Sequence, residues 1–259
     1  MEIKFINTLY NDTFSEINTI FKQNEIIGII NGKMNDFLDD KIISGELKIK
    51  RYTLNKKSDN SKILKIKNNI YNCFNNIDEL RAINITDDIN YKVNSVNGER
   101  LYDLFKKFDL NKNILDLPYT KLSTSEKKKI LIICALMTEK DIIIFEEPTN
   151  YLDSKSINTL TKEIKKLKRN KIIIIYTNNT EFLLEASDKV LVHYNKKIIC
   201  ENKYKILSDE KVLNDLKLKV PELLSFINKV RILKNINLGY RDNINDTIKD
   251  VYRYAKKNN

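Results

Sequence analysis

The chain has 259 residues, enough for one large α/β domain with a small appendage and a sizeable core. Hydrophobic residues make up 42% and charged residues 31%, which excludes a disordered polymer. The formal charge of +11 comes from lysines scattered along the chain and reads as a solvated basic surface; attraction to nucleic acid or an anionic membrane surface is the rival reading. The longest apolar runs, 130–137 and 172–176, fall far short of the ~20 residues a membrane-crossing helix needs, and the N-terminus reads as a charged strand, not a signal peptide. Cys73, Cys134 and Cys200 lack metal or redox spacing and read as reduced thiols of a cytoplasmic protein. The only histidine is His193, which disfavours a histidine base or a histidine metal site.

In chain order, residues 1–10 and 14–21 read as strands. Glu25-Ile26-Ile27-Gly28-Ile29-Ile30 reads as a buried strand ending in the polar turn Asn31-Gly32-Lys33. Residues 44–51 and 62–66 read as short antiparallel strands around a polar loop at 55–61, and Ile70-Tyr71-Asn72-Cys73-Phe74-Asn75-Asn76 follows. Thr86-Asp87-Asp88-Ile89 is a candidate helix start, and Leu101, Leu104, Phe105 and Phe108 have helical spacing within 99–109. This is the pattern of a small helical unit inserted into an α/β core.

The stretch that organises the chain is LSTSEKKKILIICALMTEKDIIIFEEPTNYLD, residues 122–153. It opens a helix at Ser123 or Thr124, continues through an apolar helix, and ends in a strand that delivers Glu146 and Glu147 to its C-terminal edge. Ligands of α/β sheets bind at such edges, and carboxylates there are suited to hold Mg2+ and position a water. A helix at 154–167 follows, then a strand at 171–176 running into Thr177-Asn178, a helix at 181–186, and a hairpin of 189–193 with 196–200. The hairpin makes His193 a strand residue. The tail carries amphipathic helices around Val220-Pro221-Glu222-Leu223 and a last one from Asn245.

LSTSE resembles the LSGGQ signature of the ATP-binding-cassette (ABC) ATPases, and IIIFEEPTNYLD resembles their Walker B strand, catalytic glutamate and D-loop. The tail, with its Leu-Lys-Val-Pro-Glu-Leu turn, resembles the C-terminal extension of energy-coupling-factor importer ATPases, so the resemblance covers nearly the whole chain. It implies an α/β fold of the ABC nucleotide-binding type: a P-loop NTPase-like core, an antiparallel β subdomain and an inserted helical subdomain. The expected boundaries are 1–205 for this domain, with the helical insert at about 77–137, and 206–259 for a helical extension that contributes to pairing.

The resemblance also implies roles. Glu147 matches the water-activating glutamate and Asn178 the switch position, where the family has histidine; Glu146 stands for the Mg2+-associated aspartate. Ser123, Thr124, Ser125 and Glu126 form the signature and Asp153 the D-loop aspartate, all facing ATP shared with a second subunit. In isolation Ser123 reads as a helix cap; its place just upstream of the Glu146-Glu147 strand favours the signature. Tyr10 either stacks on adenine or simply packs, and Asn75 either matches the family's Mg2+-reaching glutamine or belongs to a polar loop. The phosphate loop departs most. Gly28 and Gly32 are one residue too close for GxxxxGK[ST], Met34 replaces the hydroxyl, and Gly32-Lys33 reads as a turn or a remnant of the cradle.

The expectation is therefore a degenerate ATPase-type subunit of a vitamin or metal importer, weak or inactive alone. It would use ATP and Mg2+ at a site shared with a second ABC ATPase subunit, and dock on a transmembrane coupling protein at the inner face of the membrane, with no direct nucleic-acid partner. A non-catalytic scaffold is the alternative, and a soluble nucleic-acid-linked cassette ATPase a further one.

Overall fold

Alternate residues of the isoleucine-rich strands divide between two cores. Ile142 and Ile144, with Ile172 and Ile174, enter one cluster, while Ile143 and Phe145, with Ile173 and Ile175, enter the other. Successive side chains of a strand point to opposite faces, so a continuous apolar run is what a strand covered on both faces requires. The computed structural model of the chain describes residues 1–9, 16–32, 42–77, 84–93 and 95–257.

Among the described residues, ten strands form two sheets. The first, β2-β1-β4-β5, is antiparallel and comprises β1 (Glu2–Leu9), β2 (Ile17–Lys22), β4 (Ser44–Ile49) and β5 (Tyr52–Leu54). The second has the order β10-β9-β3-β8-β7-β6, from β3 (Glu25–Ile30), β6 (Ile70–Cys73), β7 (Ile142–Glu146), β8 (Ile172–Tyr176), β9 (Lys189–Tyr194) and β10 (Lys197–Asn202). All its pairings are parallel except β9 with β10. The antiparallel sheet lies on one face, sharing a core of Phe5, Phe21 and Leu47 with Ile27, Ile144 and Ile174. Helices α2 (Ile85–Lys92), α3 (Gly98–Lys107), α4 (Thr124–Met137), α5 (Ser154–Leu167), α6 (Thr180–Ala186), α7 (Lys203–Leu207), α8 (Glu210–Asp215) and α9 (Glu222–Lys234) enter the core on the other face, whereas α1 (Asn60–Lys67) packs with β5 and β6 and puts Ile66 in the antiparallel-sheet core; α10 (Ile244–Lys257) ends the described chain.

Residues 62–66, expected as a strand, lie inside α1. Asp59 caps that helix by accepting from the Lys62 N–H at 2.9 Å, and only Ile66 is buried, so the alternation of lysine and isoleucine there is a helix surface. The cap of α2 is Asn84, not Thr86. Leu213, Leu224 and Ile227 of the tail join the same core as the α/β strands.

Gly45 is required by a bulge. Strand β1 gains one residue between Ile6 and Leu9 against β4, and Asn7 takes φ 45°. Buried Thr8 satisfies the freed groups, donating to the Glu46 carbonyl at 2.6 Å and accepting from the Ile6 N–H at 3.0 Å. Opposite, Gly45 has φ +76°, and a Cβ there would lie 2.0 Å from the Asn7 carbonyl oxygen. Gly45→Ala is expected to destabilise the chain by about 3 kcal/mol, read as a fall in the urea midpoint. An unchanged midpoint would refute this account.

Candidate functional site

Because β3, β6, β7 and β8 are parallel neighbours, their C-terminal ends share one edge, and the candidate residues gather there. Asn31-Gly32 follows β3, Asn75 follows β6, Glu146-Glu147 ends β7, and Thr177-Asn178 follows β8. Open α/β sheets bind ligands at this edge, at the point where strand order reverses. Here β3 lies between β8 and β9 and is that point. Tyr10, Lys33 and Met34 lie outside the described residues.

Glu147 adopts φ 40°, a strained conformation for a residue with a side chain. Its N–H donates to the Tyr176 carbonyl at 2.8 Å, which turns the side chain toward the β8 loop. There Oε2 accepts from the Thr177 hydroxyl at 2.7 Å and Oε1 from the Asn178 N–H at 3.2 Å, so both carboxylate oxygens are engaged within the chain. Asn178 Oδ1 in turn accepts from the Asn31 N–H at 3.1 Å, joining the turns after β3 and β8. Gly28 lies inside β3, where a Cβ would meet Leu183 Cδ2 at 2.6 Å, so its role is close packing of α6. At Gly32 a Cβ would approach Ile29 Cγ2 at 2.8 Å, beside the ring of His193. His193 is buried in β9, as its hairpin position predicts.

Glu146 is tied to Asn75, whose N–H donates to Oε2 at 3.2 Å. The third member of this group is Lys128 of α4, which the sequence reading passed over. Its side chain is fully buried, and Nζ donates to Asn75 Oδ1 and to the Glu146 carbonyl, each at 3.3 Å. Asn150 Nδ2 also donates to Asn75 Oδ1, at 3.4 Å. The lysine run 127–129 reads as a solvated helix start. The missed signal is that Lys128 is four and eight residues before Ile132 and Leu136, which are buried on the same stripe of α4.

These donors do not fit Mg2+. The ion demands an octahedron of oxygens at about 2.1 Å. The amide oxygen of Asn75 already accepts from two donors, one of them a cation. A divalent ion ~4 Å from an ammonium would be opposed by roughly 8 kcal/mol at an effective dielectric of about 20. Among the described residues no group of three or more His, Cys, Asp or Glu could hold a metal ion.

The signature residues stand at the start of α4. Ser123 caps the helix: its hydroxyl accepts from the Glu126 N–H at 3.3 Å and donates to Glu126 Oε2 at 2.7 Å, and its own N–H donates to the same oxygen at 2.8 Å. The Ser123 hydroxyl and N–H hold the Glu126 carboxyl below its usual range. Ser123 and Thr124 are exposed, and Ser125 and Glu126 half-buried. Asp153 caps α5, accepting from the Ser156 N–H at 2.8 Å and hydroxyl at 3.1 Å. Those bonds lower its pKa, the N–H having the larger effect. Lys129 Nζ lies 3.7 Å from Asp153 Oδ2 and links the two caps. Ser123 and Asp153 are thus exposed, with Glu126 half-buried beside Ser123, apart from the inward group of Lys128, Asn75 and Glu146.

No helix among the described residues is long and apolar enough to cross a membrane. No protein-family profile matches the chain. The energy-coupling factor transporter ATP-binding protein EcfA of Aster yellows witches'-broom phytoplasma is 29% identical over 226 residues, 82% of this chain and 81% of that protein. EcfA2 of Mycoplasmoides gallisepticum is 30% identical over 152 residues, 56% of this chain and 48% of that protein. The chain spans about half or less of several such relatives. Among solved structures, CbiO1 of Clostridium perfringens, part of the ABC transporter complex CbiONQ, superposes with a TM-score of 0.66 over 87% of this chain and 98% of that one at 20% identity. A dimeric bacterial ABC transporter cassette superposes with a TM-score of 0.62 over 78% of this chain and 98% of that one at 17% identity. The chain has the fold of an ABC ATPase cassette and is related to the ATP-binding proteins of energy-coupling-factor transporters.

Proposed function

We propose that the chain is the degenerate member of a two-subunit cassette ATPase that powers an energy-coupling-factor importer of a vitamin or metal ion. In this reading Ser123, with Thr124, Ser125, Glu126 and Asp153, faces ATP held on the phosphate loop of a second ABC ATPase subunit, and a helix N-terminus with free N–H groups suits a γ-phosphate. The chain's own edge, with Glu147 and Asn178, turns over little ATP. The observation that carries the reading is the exposure of Ser123 and Asp153 at the starts of α4 and α5.

Helix α10 supports a pairing role for residues 206–259. It leaves Ile244, Ile248, Val251 and Tyr252 exposed along one stripe, at spacings of four, seven and eight residues. A transmembrane coupling protein would then hold the pair at the inner face of the membrane, where the scattered basic surface meets anionic lipid.

The experiment is ATP turnover of the purified chain, alone and mixed with a second cassette subunit that co-purifies with it. Little turnover alone and robust turnover of the pair are expected. Robust hydrolysis by the chain alone, abolished by Glu147→Gln, would sink the division of labour. Pairing with no nucleotide effect would favour a scaffold.

A further inference from the structure

We infer that residues 177–181 join the tail to the acidic edge, and that Glu181 is a positioning residue: by capping α9 it holds Asn178 and, through Asn178, the carboxylate of Glu147. Every residue of this stretch is bonded to a distant segment. On the edge side, the Thr177 hydroxyl donates to Glu147 Oε2 at 2.7 Å and the Asn178 N–H to Oε1 at 3.2 Å. Asn179 then caps α6. Its N–H donates to Thr177 Oγ1 at 3.1 Å, its Oδ1 accepts from the Phe182 N–H at 3.0 Å, and its Nδ2 donates to Thr149 Oγ1 at 3.3 Å. On the tail side, the hydroxyl of buried Thr180 donates to the Lys219 carbonyl at 2.7 Å, and Glu181 Oε1 accepts from the Glu222 N–H at 2.6 Å.

The Glu181 bond completes the tail. A helix begins with N–H groups that have no partner inside it, and a side-chain oxygen of the preceding residue usually accepts one of them. The residue before α9 is Pro221, which makes no side-chain cap bond. Glu181 supplies the oxygen from 41 residues away, and its negative charge suits the positive end of a helix. Leu224 and Ile227 fix α9 in the core, so the cap is a fixed point against which the start of α6 is set. The far end of α6 is held as well: buried Lys203 donates to the Leu184 carbonyl at 2.8 Å and pairs with Asp242, just before α10, at 2.7 Å. The seven residues of α6 thus lie between the two tail helices and the edge, with no free loop on the path to Asn178. Glu147, at φ 40°, depends on such support, because a strained backbone persists only where its surroundings over-determine it.

The joint needs no nucleotide; only its bearing on ATP rests on the reading above. Amide hydrogen exchange of the full chain, resolved by residue, tests it in both directions. Glu222→Pro removes the N–H that Glu181 accepts, at the first helical position, where proline is tolerated, and Pro221 at φ −50° and ψ 135° already has the backbone a following proline requires. This variant is expected to speed exchange of the Asn178 N–H about fivefold, the equivalent of one lost cap. Glu222→Ala keeps the N–H and is expected to leave that rate unchanged. In the reverse direction, Glu147→Ala is expected to speed exchange of the Glu222 N–H by a similar factor, since coupling between two sites is reciprocal. Gly45→Ala, which weakens the fold at the β1–β4 bulge, is the control for a merely structural effect and is expected to leave the Asn178 rate unchanged. An Asn178 rate that ignores Glu222→Pro overturns the inference, as does one that rises equally in Gly45→Ala. ATP turnover of the assembled pair decides the reading above and amide exchange decides the joint, so each can fail without the other.

Discussion

Exchanging Ser123 for alanine is expected to lower the ATP turnover of the assembled pair about a hundredfold, the usual consequence of removing one preorganised donor from a developing anion. Glu147→Gln in the same chain is expected to cost less than about threefold, since under the proposed division of labour the lost carboxylate serves a site that contributes little to total turnover. The ranking is the reverse of what an independent hydrolase would give. Ser123 is also a helix cap, and losing its two hydroxyl hydrogen bonds to Glu126 costs about 1 kcal/mol of stability. A Ser123→Thr variant separates the effects: it retains a capping hydroxyl, so its unfolding midpoint should match that of the unmodified chain, leaving turnover to report on the partner's ATP. Steady-state hydrolysis by the three pairs checks this. If Ser123→Ala acts no more strongly than Glu147→Gln, the signature surface does not serve a partner's nucleotide.

The second large effect is structural and holds the helical insert to the core. Glu163 of α5 has a side chain only 2% exposed, yet it is ionised. Oε2 pairs with Arg100 at 2.7 Å, and Oε1 with Lys166 at 2.9 Å and Lys107 at 3.2 Å. Arg100 and Lys107 belong to α3, so this carboxylate fastens the insert to α5. Burial by itself would raise the pKa; Lys166, Arg100 and Lys107 outweigh it and hold the group at about 2, against 4.5 for a free glutamate. A carboxyl depressed in the folded state stabilises above its unfolded pKa and loses that contribution as pH falls toward the folded one. The difference is worth about 3 kcal/mol at neutral pH and disappears between about pH 4.5 and pH 2. Glu163→Gln is therefore expected to be about 3 kcal/mol less stable at pH 7, the gap narrowing by about half near pH 3. Urea unfolding at the two pH values tests this; a gap independent of pH would show that the carboxylate's charge is not what stabilises.

Much of the fold is legible because its signals are local. The run Ile142-Ile143-Ile144-Phe145 is too apolar for any strand but one covered on both faces, and Asp153 followed by Ser156 caps a helix over the residues its periodicity predicts. Glu146 and Glu147 were expected at the C-terminal edge of a buried strand, and parallel pairing brings Gly32, Asn75 and Asn178 to the same edge. Residues 62–66 were misread because lysine and isoleucine alternate without true period-2 burial, while Asp59, whose cap starts the helix, lies in what looked like a loop. Lys128 was overlooked for a related reason. One lysine of three looks like its neighbours in sequence, and only the packing of α4 buries it.

The residue types available to the site, and the strands that carry them, follow from the sequence alone. It supplies two adjacent carboxylates after a buried strand, a hydroxyl at a helix start, and no complete glycine loop. What those groups are free to do was decided by tertiary structure. The lone pairs of Asn75 are taken by Lys128, 53 residues away, and by Asn150, 75 away. The carboxylate of Glu147 is taken by residues 30 and 31 positions on, and Asn178 is bound to Asn31 across 147 residues. Hydrogen bonds over such separations depend on which strands are neighbours, and strand order is a property of the whole sheet, not of any segment. The acidic pair was therefore readable as a candidate machine from its own ten residues, while its engagement with an internal lysine and a neighbouring turn became visible only once six strands stood side by side.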